Sequence, residues 1–276
     1  MLDITVIILT FNEELHIRRC LERILPIAKR VVIVDSLSTD QTKEICAEYP
    51  RVDIVEHQWP GIYGTQFNWA LDNVPIETEW VMRLDADEYL MPGEHERLSK
   101  LIMGLGQNVC GICLLLERFF MSRRIRYGGT SSIPLMRVFR RGCARCESRE
   151  MDEHLELIQG EVYMSDIHFA DDSKMPITQW IQKHLGYAER ESVVLLRGEK
   201  KVRAKVDTLN NRRKVWYSRC PLFWRAFAYF FYRYIIRLGF LDGREGFLWH
   251  FMQAWWYRTL VDTLLTEKQK QNNTPS

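Results

Sequence analysis

Four short runs of apolar, largely β-branched residues punctuate the first part of the chain: "ITVIIL", "RVVIVDS", "VDIVEH" and "EWVMRLD". Each has the length and composition of a buried strand. Helical patterns separate them. "EELHIRRCLERIL" puts Leu15, Cys20, Leu21 and Ile24 on one face, with Asn12 placed to cap it. "STDQTKEICAEY" carries Ser38 and Gln41 at capping-box spacing. "GTQFNWALDNV" is the third helix, and "GEHERLSKLIMGL" the fourth, starting soon after Pro92. Strands alternating with helices predict parallel βαβ units joined by right-handed crossovers, hence an α/β fold.

Beyond residue 105 the pattern changes. "CGICLLLERFF", "LMRVFRRG" and "EVYMSDIHF" read as strands, with "YGGTSS" as turn material. "ITQWIQKHLGYAERESVVLL" reads as a long helix with Ile177, Ile181, Leu185 and Ala188 along one stripe. A basic, aromatic tail follows, "VWYSRCPLFWRAFAYFFYRYIIRLGF". The expected organisation is a ligand-binding half at 1–105, a second half of the same domain at 106–196, and a helical extension at 197–276.

A chain of 276 residues with 46% hydrophobic and 27% charged residues can bury a substantial core. Its net charge of +2 hides an asymmetry. Between Arg197 and Arg237 there are twelve Lys/Arg and two acids, Glu199 and Asp207, a local +10 that leaves −8 elsewhere. Such a block suits an anionic partner, either nucleic acid or membrane lipid. The start of the chain has no basic n-region, and the seven cysteines are an odd number, so reduced thiols in a cytosolic compartment are expected. Cys110-x-x-Cys113 and Cys143-x-x-Cys146 have a zinc-like form, but the gap between them exceeds the usual ribbon spacing. An offset of three on a strand also sends two side chains to opposite faces, which favours ordinary thiols.

In parallel α/β sheets, ligands bind beyond the carboxyl ends of the strands. Polar residues stand at those ends each time: Thr10 and Asn12, then Asp35 and Ser36, then Asp85 and Asp87. No G-x-G-x-x-G and no GK[ST] follows the first strand, so neither a dinucleotide fingerprint nor a P-loop is present. The stretch "WVMRLDADEYL" instead crowds Asp85, Asp87 and Glu88 together. Clustered carboxylates repel unless something positive sits among them. Residues i and i+2 of an extended segment point the same way, and two hard oxygen ligands on one side suit Mg²⁺ or Mn²⁺ with phosphate oxygens and water completing the shell. The plainer alternative is that these acids cap the next helix or face solvent.

Together "VIILTFNEELHIRRCLERI", "VVIVDSLSTDQT", "GTQFNWAL" and "WVMRLDADEYL" resemble the nucleotide-sugar half of glycosyltransferase family 2, particularly its bacterial lipopolysaccharide and capsule members. "LMRVFRRG", "MDEHLELIQG" and "WIQKHLGYAERE" extend the resemblance to about Glu191. Where the family often has two acids and a glycine, this chain has "DSLS", keeping Asp35 but not its usual successors. The resemblance implies a GT-A fold, a Rossmann-like mostly parallel sheet flanked by helices, and inverting transfer from a nucleoside-diphosphate sugar to a glycan or glycolipid acceptor. It assigns the metal to the DxD motif, with Asp87 as ligand and Asp85 near the metal or ribose. Thr10, Asn12, Glu13 and Asp35 would hold the nucleoside, with Gln66 and Asn68 lining the same cleft.

The general base is then expected in "MDEHL", at Glu153 or Asp152, unless these acids merely pair with Arg145 or Arg149. His168 is a candidate third metal ligand or a structural histidine. In the tail, a helix opened by Pro221 would place Arg225, Arg233 and Arg237 at roughly 0°, 80° and 120° on a 100° step, a shared sector. Arginines on one side and aromatics elsewhere suit a helix in the headgroup region of an anionic membrane, and a helix packed on the catalytic domain is the alternative. A peripheral protein on the cytoplasmic face of the inner membrane is the expected location. A nucleic-acid binder would explain the charge but not the metal motif, and a nucleotidyltransferase on a related fold would need a glycine-rich first loop that is missing.

Overall fold

The structure, a computed structural model, describes residues 1–147, 153–197 and 220–273. They form two compact units, Met1–Arg124 with Ser131–Lys174, and Ile125–Thr130 with Met175 onward.

The first unit is built on a sheet whose strands run β3 (Val52–Glu56), β2 (Arg30–Asp35), β1 (Ile4–Thr10), β4 (Trp80–Asp85), β8 (Ile133–Arg140), β6 (Val109–Phe120), β11 (Glu161–Asp171) and β5 (Glu88–Leu90), with β7 (Arg123–Ile125) beside β6. The first four are mutually parallel. β8 is antiparallel to both β4 and β6, so the chain reverses direction beside the strand that carries the acids. A separate ribbon pairs β9 (Ala144–Cys146) with β10 (Leu155–Leu157).

Period-two alternation in β1 supplies both layers of core. Ile4, Val6 and Ile8 pack with α1 (Ile17–Ile24) and α4 (Glu94–Gly104) on one face. Ile7 and Leu9 pack with Phe67, Ala70 and Val74, from and just beyond α3 (Tyr63–Asn73), and with the β9–β10 ribbon on the other. In β4, Val81 belongs to this second face, and so by alternation do Arg83 and Asp85.

Two predicted caps are not formed. Asn12 adopts φ +56° instead of capping α1, a conformation asparagine tolerates better than most residues. Its side chain accepts the Thr39 amide at 2.8 Å. Ser38 does not open a capping box, because α2 (Thr42–Ala47) begins later and its Thr42 amide is held by Asp40 at 3.0 Å. Both side chains are drawn instead into the link between the ends of β1 and β2.

In the second unit, α5 (Ile177–Leu196) packs along α8 (Tyr257–Asn273) through Ala188, Tyr257 and Val261. The predicted stripe is displaced. Ile177 and Leu185 are exposed, while Trp180, Ala188, Glu191 and Ser192 are buried. Glu191 explains the shift, since its carboxylate accepts Tyr257 Oη at 2.8 Å and pairs with Arg258 at 2.7 Å. Polar partners on α8 therefore select the face.

The arginine sector is reversed as well. α6 (Trp224–Phe231) runs into a π-helical turn at Tyr232–Ile236. Arg225 and Arg233 point inward and are buried. The Arg225 guanidinium is forked onto the buried Asp262, its Nε 2.9 Å from Oδ1, and Asp262 also accepts the Phe223 amide at 2.8 Å. Arg233 donates to the Gly128 carbonyl at 3.2 Å. Reading the helix by hydropathy alone puts charges outward, whereas a buried carboxylate makes the opposite orientation favourable. The remaining residues of the basic block, 198–219, lie outside the described residues.

α7 (Gly243–His250) ends on a fully buried histidine. Gly128, at φ +76°, lies flat against it, and a Cβ there would come within 2.1 Å of His250 Cε1. Neither ring nitrogen has a hydrogen-bond partner among the described residues. Burial, aided by the charge of Arg233, holds the imidazole far below its ordinary range, at about 3. The unfolded chain binds a proton near pH 6.5 that the folded unit refuses, so stability is full above that value and falls as pH drops toward 3. Denaturant midpoints between pH 7 and pH 4.5 should fall more steeply for the native chain than for a His250→Leu variant, which has no proton to bind.

Candidate active site

The three acids of "DADE" have different fates. Glu88 turns inward and is buried. One of its oxygens accepts Arg137 at 2.5 Å and the other accepts the Asp85 amide at 3.1 Å. Burial pushes its carboxyl up, and the charge of Arg137 opposes that rise. Asp85 is half-buried at the end of β4 and accepts the Tyr63 hydroxyl. Asp87 is half-exposed in the two-residue turn between β4 and β5.

Arg83, two residues before Asp85, is buried on the same face of β4. Its guanidinium lies 4.2 Å from the Tyr63 ring centroid and reaches Cys146 Sγ at 3.5 Å. Burial disfavours its charge, but Tyr63, Asp85, Cys146 and Glu88 together hold it protonated. Two guanidiniums, Arg83 from β4 and Arg137 from β8, thus sit among the carboxylates. Burial is the main influence raising Tyr63, and the charge of Asp85 adds to it, so the hydroxyl stays a donor.

The second side of the site is the β9–β10 ribbon, and α3 fixes its base. Asn68 makes a two-way clasp on the Cys146 backbone, donating to its carbonyl at 2.8 Å and accepting its amide at 2.9 Å. Gly64 is needed for close approach, since a Cβ there would meet the Glu147 carbonyl oxygen at 2.1 Å. Glu147 and His154 close the ribbon by a backbone bond of 2.9 Å, and Glu153 directly precedes this pair's second member. Burial pushes the Cys146 thiol up to about 11, Arg83 opposing, while the charges of Glu153, Glu147 and Asp85 push the same way. Arg145 is not their partner, because it forks onto Asp72 at 2.8 and 2.6 Å. Asp152 lies outside the described residues.

The residues expected to hold a nucleoside form a network beneath the ends of β1 and β2. Asp35 is fully buried and accepts Thr10 Oγ1 at 2.8 Å, the Ser38 amide at 2.7 Å and Ser38 Oγ at 2.6 Å. The Asn12 amide donates to Ser38 Oγ at 2.9 Å. Glu13 holds His16 Nδ1 at 2.6 Å, and the opposite ring nitrogen accepts the Lys174 amide at 2.8 Å. Gln66 has no exposed surface, and its carboxamide is spent on His57 and Ser36. Asn68 is spent on Cys146. Both support the cleft from below, where the sequence reading had them lining it. Leu37 stands exposed at φ +65°, where the family usually places glycine.

Asp85 and Asp87 offer hard oxygen donors two residues apart, one steadied by a tyrosine and an arginine. This suits a cation such as Mg²⁺ or Mn²⁺, which commonly takes one or two carboxylates and leaves its other positions to phosphate and water. His168 is not gathered with them. Its Nδ1 is 2.6 Å from the buried Glu117, which also binds Arg124 and Ser132. Among the described residues no three His, Cys, Asp or Glu side chains form a metal-holding group.

The sequence model of Glycosyl transferase family 2 matches residues 5–144, half of the chain. The chain belongs to glycosyltransferase family 2. It is 30% identical over 105 residues to an uncharacterized glycosyltransferase of Rickettsia bellii, covering 38% of this chain and 34% of that protein. It is 31% identical over 105 residues to the lipopolysaccharide core biosynthesis glycosyltransferase LpsC of Rhizobium meliloti, covering 37% of each. The matches thus span little more than a third of these curated relatives. Among solved structures, the mannosyltransferase PcManGT of Pyrobaculum calidifontis, in complex with GDP-Man and Mn²⁺, superposes with a TM-score of 0.55 over 97% of this chain and 88% of that one, at 15% identity. The fold of this family 2 member is accordingly GT-A, with C-terminal helices added.

Sequence reasoning missed Tyr63, Gly64, Arg83, Arg137 and Cys146. A charge inside an otherwise apolar strand, as in "WVMRLD" and "LMRVF", was the available signal. In this family 2 member Gly64→Ala should force the ribbon base away from α3. The expected result is a drop in transfer of ~10-fold or more with donor binding retained, read by comparing turnover with nucleotide titration calorimetry.

Proposed function

We propose that this protein is an inverting, metal-dependent glycosyltransferase that moves a sugar from a nucleoside diphosphate to a lipid-linked glycan in cell-envelope polysaccharide or lipopolysaccharide synthesis. The observation that carries this reading is Arg83 of β4 reaching Cys146 at the base of the β9–β10 ribbon, which sets the strand that bears Asp85 against the ribbon whose second strand follows Glu153. Asp85 suits the donor diphosphate and Glu153 the acceptor hydroxyl. Residues 1–105 then form the donor half and 106–196 contribute the acceptor side.

In the proposed reaction the acceptor oxygen attacks the anomeric carbon from the face opposite the diphosphate. Its proton passes to the Glu153 carboxylate, and the bond to the diphosphate breaks with its electron pair leaving on the phosphate oxygen. Asp87, with Asp85, would hold a divalent cation, which when bound neutralises the charge growing on the leaving group. The Tyr63 hydroxyl holds the Asp85 carboxylate, and the charge of Arg83 favours its ionised form. Thr10, Asn12 and Asp35 shape the nucleoside end, Asp35 by holding the loop rather than by exposure. Asp152 remains the alternative base.

The Mn²⁺ and GDP-Man of PcManGT and the lipopolysaccharide role of LpsC support the donor class, the cation and the setting. Acceptors of this kind belong to the cytoplasmic face of the inner membrane, where the protein would be peripheral. No described helix is long and apolar enough to cross a membrane.

Asp87→Ala should abolish Mn²⁺-dependent binding of UDP or GDP in calorimetry while the protein stays folded. Metal-independent binding at native affinity would remove the cation from the reading. Glu153→Gln should bind donor normally and lose transfer by at least ~100-fold. If Glu153→Gln turns over normally and Asp152→Asn does not, the base is Asp152.

A further inference from the structure

The second unit carries an apolar surface that its own core leaves outside. On an ideal helix Trp224, Phe227 and Phe231 fall within roughly 60° of one another, and they and Ile235 in the π-helical turn beyond are all exposed, Trp224 at 72%. Phe223, Ile236, Leu238, Phe240, Leu241 and Phe247 are exposed as well. Ring contacts join the two helical segments beneath them. Phe227 meets Trp255 at 5.4 Å, Tyr234 meets Phe240 at 6.3 Å, and Phe230 meets Phe247 at 6.3 Å. The surface is therefore continuous from α6 to α7 and the turn after it. An apolar patch of this extent marks an interaction site.

Charge decides what it fits. Between Pro221 and Trp256 the acids are Asp242, which is buried, and Glu245. Asp242 is used inside the unit, its carboxylate accepting the Arg126 and Tyr127 amides at 3.1 and 2.8 Å. Arg237 and Arg244 are exposed. In sequence the surface is preceded by Lys200, Lys201, Arg203, Lys205, Arg212, Arg213, Lys214 and Arg219. Tryptophan and phenylalanine bordered by arginine are the side chains that settle at the boundary of headgroups and acyl chains. The absence of a spanning helix among the described residues fits a protein that lies on a bilayer.

We propose that this face is a docking surface for an anionic lipid bilayer, with Trp224, Phe227 and Phe231 entering the headgroup–acyl boundary and Arg237 and Arg244 at its rim. The proposal rests on the reading of a lipid-linked acceptor and reverses the charge-led picture. The apolar residues, not the arginines of α6, make the main contact, and Arg225 and Arg233 serve the fold. Binding should then have a large salt-resistant part and a smaller salt-sensitive part.

The test uses the full chain with phosphatidylcholine vesicles with and without phosphatidylglycerol. The native protein should co-sediment with the anionic vesicles and keep most of its binding at high salt. Acyl-brominated lipid should quench its tryptophan fluorescence, less so in Trp224→Phe. Changing Trp224, Phe227 and Phe231 together to Ser should lower partitioning by ~10-fold or more while Mn²⁺-dependent nucleotide binding persists, which separates docking from the catalytic reading. No binding to anionic vesicles, or no quenching by brominated lipid, overturns the proposal. So does a dimer in sedimentation analysis that the triple change dissolves, since the face would then be covered by a second copy. Should the triple variant fail to fold, unequal quenching of the native chain and Trp224→Phe still supports the proposal, and equal quenching refutes it.

Discussion

Charge burial at the end of β4 governs the first unit. Asp85, Glu88, Arg83 and Arg137 lie within one another's fields, and three of the four are buried. An ion moved from water into protein loses several kcal/mol of solvation, and removing one partner of a buried pair typically costs ~3–5 kcal/mol. The cluster is tolerable only when complete, and completion needs β8 antiparallel beside β4 so that Arg137 reaches Glu88. The sheet's change of direction and the geometry of the acids are thus one constraint. With Glu88 and the arginines turned inward, Asp85 and Asp87 are left at the rim.

A second level of organisation rests on the first. Arg83 touches Cys146, Asn68 clasps the Cys146 backbone, and Gly64 admits the Glu147 carbonyl. The ribbon carrying Glu153 is therefore located by α3 and β4, the elements that locate Asp85. The proposed roles of Glu153 and Asp85 would need such rigid supports, because small displacements of reacting groups lower the rate steeply. Several residues that resemble ligand contacts, Gln66 and Asn68 among them, serve this framework.

In the C-terminal unit hydrophobic and charged residues exchange their usual places. Arg225 and Arg233 are inside because Asp262 and the Gly128 carbonyl are there to receive them, and rings occupy the outer face. Burying guanidiniums while exposing aromatics is unfavourable for a unit surrounded by water alone. The proposed docking on a bilayer would give that face a less polar neighbour.

The sequence by itself determined the run of parallel strands and helices, the position of the DxD acids at a strand end and the family. These follow from periodicity, strand composition and motif order, all local along the chain. Its errors share one physical origin. Local rules assign side chains to their own element, and so make Asn12 and Ser38 helix caps, Ile177 and Leu185 a buried stripe, and the α6 arginines an outward face. Tertiary partners decided otherwise. Thr39 claimed Asn12, Asp35 claimed Ser38, Glu191 set the face of α5, and Asp262 drew Arg225 inside. Each of the last three is a buried carboxylate, whose need for donors outweighs a cap or an exposed apolar residue. Such a need is met by residues far apart in sequence, so it becomes visible only when the chain has folded.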